Sequence, residues 1–126
     1  MLGLFLAVAI LGGVASVLRV IVIDFVQGQH SSTFPYGTLV VNALGCFIFG
    51  LVWALFEKRV DWHPEIKLVI MAGFAGAFTT YSTYAFETWQ LIEKSQYVLA
   101  AANMLTQTVL GIGLVFVGVI FGRWLG

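Results

Sequence analysis

The sequence predicts an all-α integral membrane protein: one unit over residues 1–126 with four transmembrane helices, the third broken near its middle. Three observations carry this expectation. Of the 126 residues, 60% are hydrophobic and only 10% charged, whereas a soluble domain holds about 25% charged residues. Four stretches supply the ~20 mostly apolar residues that a helix needs to cross a bilayer with every backbone N–H and C=O satisfied internally. The segments between them are short and turn-like.

The first span covers about residues 2–23 and is apolar apart from Arg19 and a few small polar residues. It has no Lys or Arg before its apolar run, and the run continues to Ile23. A cleaved signal wants a basic start and a short core, so a retained span is expected. "DFVQGQHSSTFPYG" (24–37) follows, with Gly, Ser and Pro punctuation. The second span, about 37–56, holds no charge and one amide, Asn42. In "EKRVDWHPEIK" (57–67), Pro64 suits the first turn of the next helix. The third span, about 68–91, is uncharged through Phe86 and contains "TTYSTY" (79–84), six consecutive hydroxyl residues. "EKSQ" (93–96) reads as a hairpin, and the fourth span, about 97–122, carries Asn103, Thr106, Gln107 and Thr108.

Trp53, Trp62 and Trp124 fall at one membrane face and Tyr36, Trp89 and Tyr97 at the other, the pattern of an aromatic belt. Lys58, Arg59, Lys67 and Arg123 share the face of the termini, opposite Lys94 and, if it reaches its nearer interface, Arg19. That leans toward cytoplasmic termini. Four helices have little interior, and small faces at Gly12/Gly13, Gly45, Gly50, Gly111 and Gly118/Gly122 permit close helix contact. A homo-oligomer is expected, most simply a dimer.

Several classes of function are disfavoured. The balance of six acids and six bases argues against nucleic acid as a partner. One cysteine, Cys46, excludes an intrachain disulfide and a multi-cysteine metal site and reads as a small apolar residue. His30 and His63 sit in loops without metal-ligand spacing. No span carries a central Asp, Glu or His; Asp24, Glu87 and Glu93 lie near span ends. That counts against proton-coupled transport and against a hydrolase, which needs a base beside its nucleophile.

What remains is a set of neutral donors. Thr38 and Asn42 are one helical turn apart, as are Asn103 and Gln107, and with Ser82 and Thr83 they form a candidate polar track. "GFAGAFTTYST" joins two glycines to β-branched threonines, a poor recipe for continuous helix. A helix broken at mid-membrane exposes backbone carbonyls and amides, and these line ion sites. Tyr81 and Tyr84, three apart, can present electropositive ring edges to an anion. The blander alternatives stay open. Hydroxyls can bond back to their own helix, Asn42 and the last-span amides can join helices, and Arg19 can snorkel.

The chain resembles the small fluoride channels of the CrcB/Fluc type. The matching elements are Gly12-Gly13 followed by Arg19, "GTLVVNALG" (37–45) and "GFAGAFTTYSTYAFE" (73–87), within four spans that match along nearly the whole chain. The resemblance implies a passive fluoride-selective channel of the bacterial cytoplasmic membrane, built as an antiparallel dual-topology homodimer with two pores. It implies that Asn42 is the pore amide, with Thr38 near it, and that Tyr81 and Tyr84 stand where the family has its two pore phenylalanines. It further implies that Ser82, Thr83, Asn103 and Gln107 fall near the pore wall and that Arg19 lies at the aqueous vestibule. The carbonyls of Gly76 and Thr79 would hold a central Na⁺ shared between subunits. The family usually reads TTFSTF, where this chain has TTYSTY, and four bases against one or two is a larger asymmetry than dual topology prefers. Rival readings are a small multidrug antiporter, which would need a Glu that the first span lacks, and an assembly subunit without transport. An embedded enzyme lacks a base.

Overall fold

The computed structural model describes residues 1–58 and 63–126, and every regular element among them is helical. The belt and charge positions assigned to Trp62 and Arg59 lie outside the described residues. Helix α1 spans Leu2–Gly28 and α2 spans Tyr36–Lys58. The third segment opens as α3 (Pro64–Leu68), with Pro64 in the first turn, widens into a π-helical stretch (Val69–Ala75) and tightens again as α4 (Gly76–Phe78). It stops at Thr79 and Thr80 and resumes as α5 (Tyr81–Glu93). The last helix, α6, spans Tyr97–Leu125.

Three helices, α1, α2 and α6, are long and apolar enough to cross a membrane. Each outruns its expected span; at 1.5 Å per residue, the 27 residues of α1 and 29 of α6 reach beyond a ~30 Å hydrocarbon layer.

Helix α2 is the most enclosed of the three: 22% of its apolar window is buried, against 6% for α1 and for α6. One face of α2 packs on α6 through glycines. A Cβ on Gly118 would strike the Phe47 carbonyl, one on Gly50 the Val115 carbonyl, and one on Gly122 would come within 2.7 Å of Leu51 O. Such close backbone approach is how membrane helices gain dispersion energy without a hydrophobic driving force between them. Gly12 of α1 similarly approaches Gly73 of the π-helical stretch. Most of the small faces on which an oligomer was expected are therefore used inside the chain; among them Gly13 alone meets nothing within 4 Å. The small core centres on Ala15, Val41 and Phe78, with Val22, Ile23, Phe74 and Ala77 against it. Side chains such as Phe5, Ile10, Ile112 and Phe116 point outward, as lipid-facing residues do.

Two polar devices shape the ends. The Gln27 amide donates to Ser32 O and Phe34 O and accepts from the Gly37 N–H, so one side chain folds the α1–α2 loop. Between α5 and α6, Gln96 N–H bonds Leu91 O (2.8 Å) and Ser95 N–H bonds Ile92 O (2.9 Å). This paired C-cap demands a left-handed residue, and Ser95 occupies it at φ 57°.

Candidate functional site

The break follows from local chemistry. Thr79 (φ −78°, ψ 157°) and Thr80 (φ −147°, ψ 115°) are both extended, a conformation that β-branched residues favour. Ahead of it, the wide π turn is of the kind that recurs at functional sites. Thr80 then caps α5, its hydroxyl accepting from the Thr83 N–H at 3.3 Å.

Two side chains from elsewhere replace the bonds the helix has lost. Asn42 on α2 pairs with the Thr80 peptide as a neighbouring strand would. Its Oδ1 accepts from Thr80 N–H (2.8 Å) and its Nδ2 donates to Thr80 O (3.1 Å). Because a backbone N–H can only donate, this pairing fixes which end of the amide faces which way. The second Nδ2 hydrogen goes to Gln107 Oε1 on α6 (3.1 Å). Arg19 does not snorkel: its guanidinium turns inward and donates to Ala77 O (3.0 Å) and Thr79 O (3.4 Å). A cation thus sits where the first half-helix ends, which is the favourable end of its dipole.

Beside the break lies a cleft of about 280 Å³. Asn42, Thr79, Tyr81, Tyr84 and Gln107 meet there, with Thr80, Cys46 and Thr108 completing the wall. The two tyrosine rings stand edge to face, centroids 5.4 Å apart at 64°. No acid or base lines this cleft.

The other candidate residues lie apart from it. Thr38 is fully buried, and its hydroxyl donates to Glu87 Oε1 at 2.7 Å. Asn103, also fully buried, donates to Thr88 Oγ1 (2.9 Å) and receives a longer contact from Gln107 Nε2 (3.5 Å). Ser82 is exposed, and neither Ser82 nor Thr83 borders the cleft. Gly76 borders a separate apolar groove with Phe49, Leu68 and Met71. Thr106 and Thr108 bond back to Ala102 O and Met104 O, as the blander reading of such hydroxyls has it.

Sequence reasoning missed three participants. Thr80 matters through its peptide rather than its hydroxyl. Thr88 anchors the chain of amides that runs from Asn42 through Gln107 and Asn103. Glu87, assigned only to a span end, lies against α2, and its Oε2 is buried with no hydrogen-bond partner among the described residues. The available signal was that Glu87 and Thr88 sit three and four residues after Tyr84, about one helical turn beyond the hydroxyl cluster.

Comparison with known proteins gives a consistent picture. The family described as "CrcB-like protein, Camphor Resistance (CrcB)" matches residues 6–119. The chain belongs to this family. A protein of Desulforapulum autotrophicum named fluoride-specific ion channel FluC is 40% identical over 119 residues, covering 94% of this chain and 95% of that protein. A relative of the same name from Nitrosococcus oceani is 43% identical over 111 residues, with 88% and 89% covered. Another from Maridesulfovibrio salexigens is 42% identical over 119 residues, with 94% of each covered. With its long apolar helices and bacterial relatives, the chain is a multi-pass protein of the bacterial inner membrane.

Proposed function

We propose that this CrcB-like chain is a fluoride-selective channel that lets the ion leave the cell passively, working as an antiparallel homodimer with two pores. It is no enzyme: its relatives carry the name of ion channels. The observation that carries the reading is the cleft beside the broken third segment, walled by uncharged hydrogen-bonding groups and two aromatic rings.

The physical logic is one of desolvation. Fluoride is small and strongly hydrated, so a narrow path must return the hydrogen bonds that water supplied. Neutral donors do this and still release the ion, whereas a ring of fixed cations would hold it. In the pore as proposed, Gln107, Tyr81 and Tyr84 face the ion. Asn42 orients them by clamping Thr80 and Gln107, both of its amide hydrogens being engaged. Thr38, Ser82, Thr83 and Asn103 belong to the flanking polar path, and Arg19 to the vestibule beside the break.

A central Na⁺ is part of the proposal, held by the Gly76 and Thr79 carbonyls of both copies; it would neutralise oxygens that the break exposes. Two features support the fit. Gly76 O has lost its helical partner, since the Thr80 N–H goes to Asn42, and keeps only a 3.5 Å contact with the Thr79 hydroxyl. Thr79 O meets Arg19 only at 3.4 Å. Two neutral oxygens from one chain are too few for a full shell, so the site requires the second copy.

The test is efflux from liposomes containing the purified protein, followed with ion-selective electrodes. Fluoride should leave rapidly while chloride is retained. Equal loss of both ions, or no loss of either, would reject the proposal.

A further inference from the structure

A helix that stops leaves its last carbonyls without partners, and around the break these oxygens are shared out unequally. Ala75 O accepts from the Thr79 N–H (3.2 Å) and from the Thr79 hydroxyl (3.1 Å). Thr80 O accepts from the Asn42 amide (3.1 Å). Ala77 O accepts from Arg19 Nη1 at 3.0 Å, and Thr79 O accepts from the same nitrogen at 3.4 Å. Gly76 O receives only the 3.5 Å contact of the Thr79 hydroxyl. Arg19 therefore anchors on Ala77 O, leans on Thr79 O and leaves Gly76 O alone. The oxygen it holds loosely is one of the two assigned above to Na⁺.

Packing carries the guanidinium to this place. Ala15, one turn before Arg19 on the same face of α1, is fully buried in the core with Phe78 and Ala77. Arg19 is half-buried and makes no ion pair with a carboxylate among the described residues. A guanidinium keeps its charge, and a charge at membrane depth is expensive. Here the negative end of the first half-helix offsets it. One copy offers Na⁺ only two neutral oxygens, so a lone copy needs a cation of its own at this helix end.

We infer that Arg19 is that cation, and that it competes with Na⁺ for the Thr79 carbonyl. The inference rests on the Na⁺ site proposed above. Two positive charges drawn to one oxygen repel each other, so Arg19 weakens Na⁺ binding, and bound Na⁺ loosens Arg19 by the same factor. In exchange the chain depends less on Na⁺ to keep its broken segment in shape. Arg19 is thus a positioning residue that sets how much sodium the assembly requires.

The experiment follows thermal unfolding of the purified protein in detergent by tryptophan fluorescence, with Na⁺ titrated against N-methylglucamine at constant ionic strength. Wild type is compared with Arg19→Gln, which removes the charge, and Arg19→Lys, which keeps it on a shorter, more strongly hydrated head. Without Na⁺, Arg19→Gln should unfold at a lower temperature than wild type. Its half-stabilising Na⁺ concentration should be about tenfold lower, a modest part of the repulsion between charges that share one carbonyl. The Lys variant should fall between the two. A uniform loss of stability at every Na⁺ concentration, with the midpoint unchanged or raised, would overturn the inference and leave Arg19 a plain helix-end contact. If Arg19→Gln does not fold, the Lys variant decides by the same midpoint. Absence of any Na⁺ response in all three proteins would overturn both the Na⁺ site and this inference. Fluoride efflux from wild-type liposomes then judges the channel reading separately.

Discussion

The α2–α6 seam and the break at Thr79–Thr80 are both organised by α2, yet they handle backbone polarity in opposite ways. At the seam every peptide keeps its own helical bond, and Gly50, Gly118 and Gly122 let two intact rods touch. At the break the rod gives up its internal bonds, and Asn42 and Arg19 supply replacements from other helices. The first solution needs shape and no chemistry. The second needs donors and acceptors at set positions, and in doing so leaves some unengaged beside a cavity. A membrane protein can thus build a dry joint from small residues alone, while a polar site requires an interrupted element and a clamp to hold it.

The largest expected effect falls on the seam. Gly118→Val places a Cβ on the Phe47 carbonyl, which cannot move without separating the helices. A loss of about 3 kcal/mol or more is expected, visible as a lower unfolding temperature in detergent or failure to purify as a single species. Gly13→Ala, where nothing lies within 4 Å, should be neutral or slightly stabilising through helix propensity. If both behave alike, shape does not govern the seam.

The break should be sensitive to chemistry at constant shape. Asn42→Asp is isosteric and keeps the acceptor for Thr80 N–H, but it replaces the NH₂ that donates to Thr80 O and Gln107 Oε1 with an oxygen facing those two acceptors. A destabilisation on the order of 2–3 kcal/mol and loss of fluoride efflux are expected, measured by thermal unfolding and by the liposome assay. Wild-type stability in that variant would mean that the clamp does not hold the break.

The smallest effect lies away from both regions. Ser95 holds a left-handed turn at φ 57° that glycine adopts without strain. Ser95→Gly should stabilise the chain by about 0.5–1 kcal/mol, seen as a modest rise in unfolding temperature with flux unchanged.

Much of this was legible in the sequence. The four hydrophobic stretches, the Pro64 start and the hairpin at 93–96 follow from composition and local turn chemistry, because the bilayer forces backbone groups to pair within a segment. The position of the break was legible for the same reason: glycines followed by paired threonines weaken a helix wherever they occur. The widening into a π-helix over Val69–Ala75 left no such mark. Nor did the fate of the six hydroxyls, which looked alike as a row but divided into three engaged threonines and a serine and two tyrosines with no hydrogen-bond partner among the described residues.

By itself, then, the sequence determined that this chain crosses a membrane as helices and where one of them fails, since helical bonds connect residues four apart and respond to local residue type. Only the tertiary structure decided which polar groups are bound and which are left facing a cavity. Those bonds join Asn42 to Thr80 across 38 positions, Asn42 to Gln107 across 65 and Arg19 to Ala77 across 58. No local pattern records a partner at such distances; the packing of α1, α2 and α6 around the broken segment selects it.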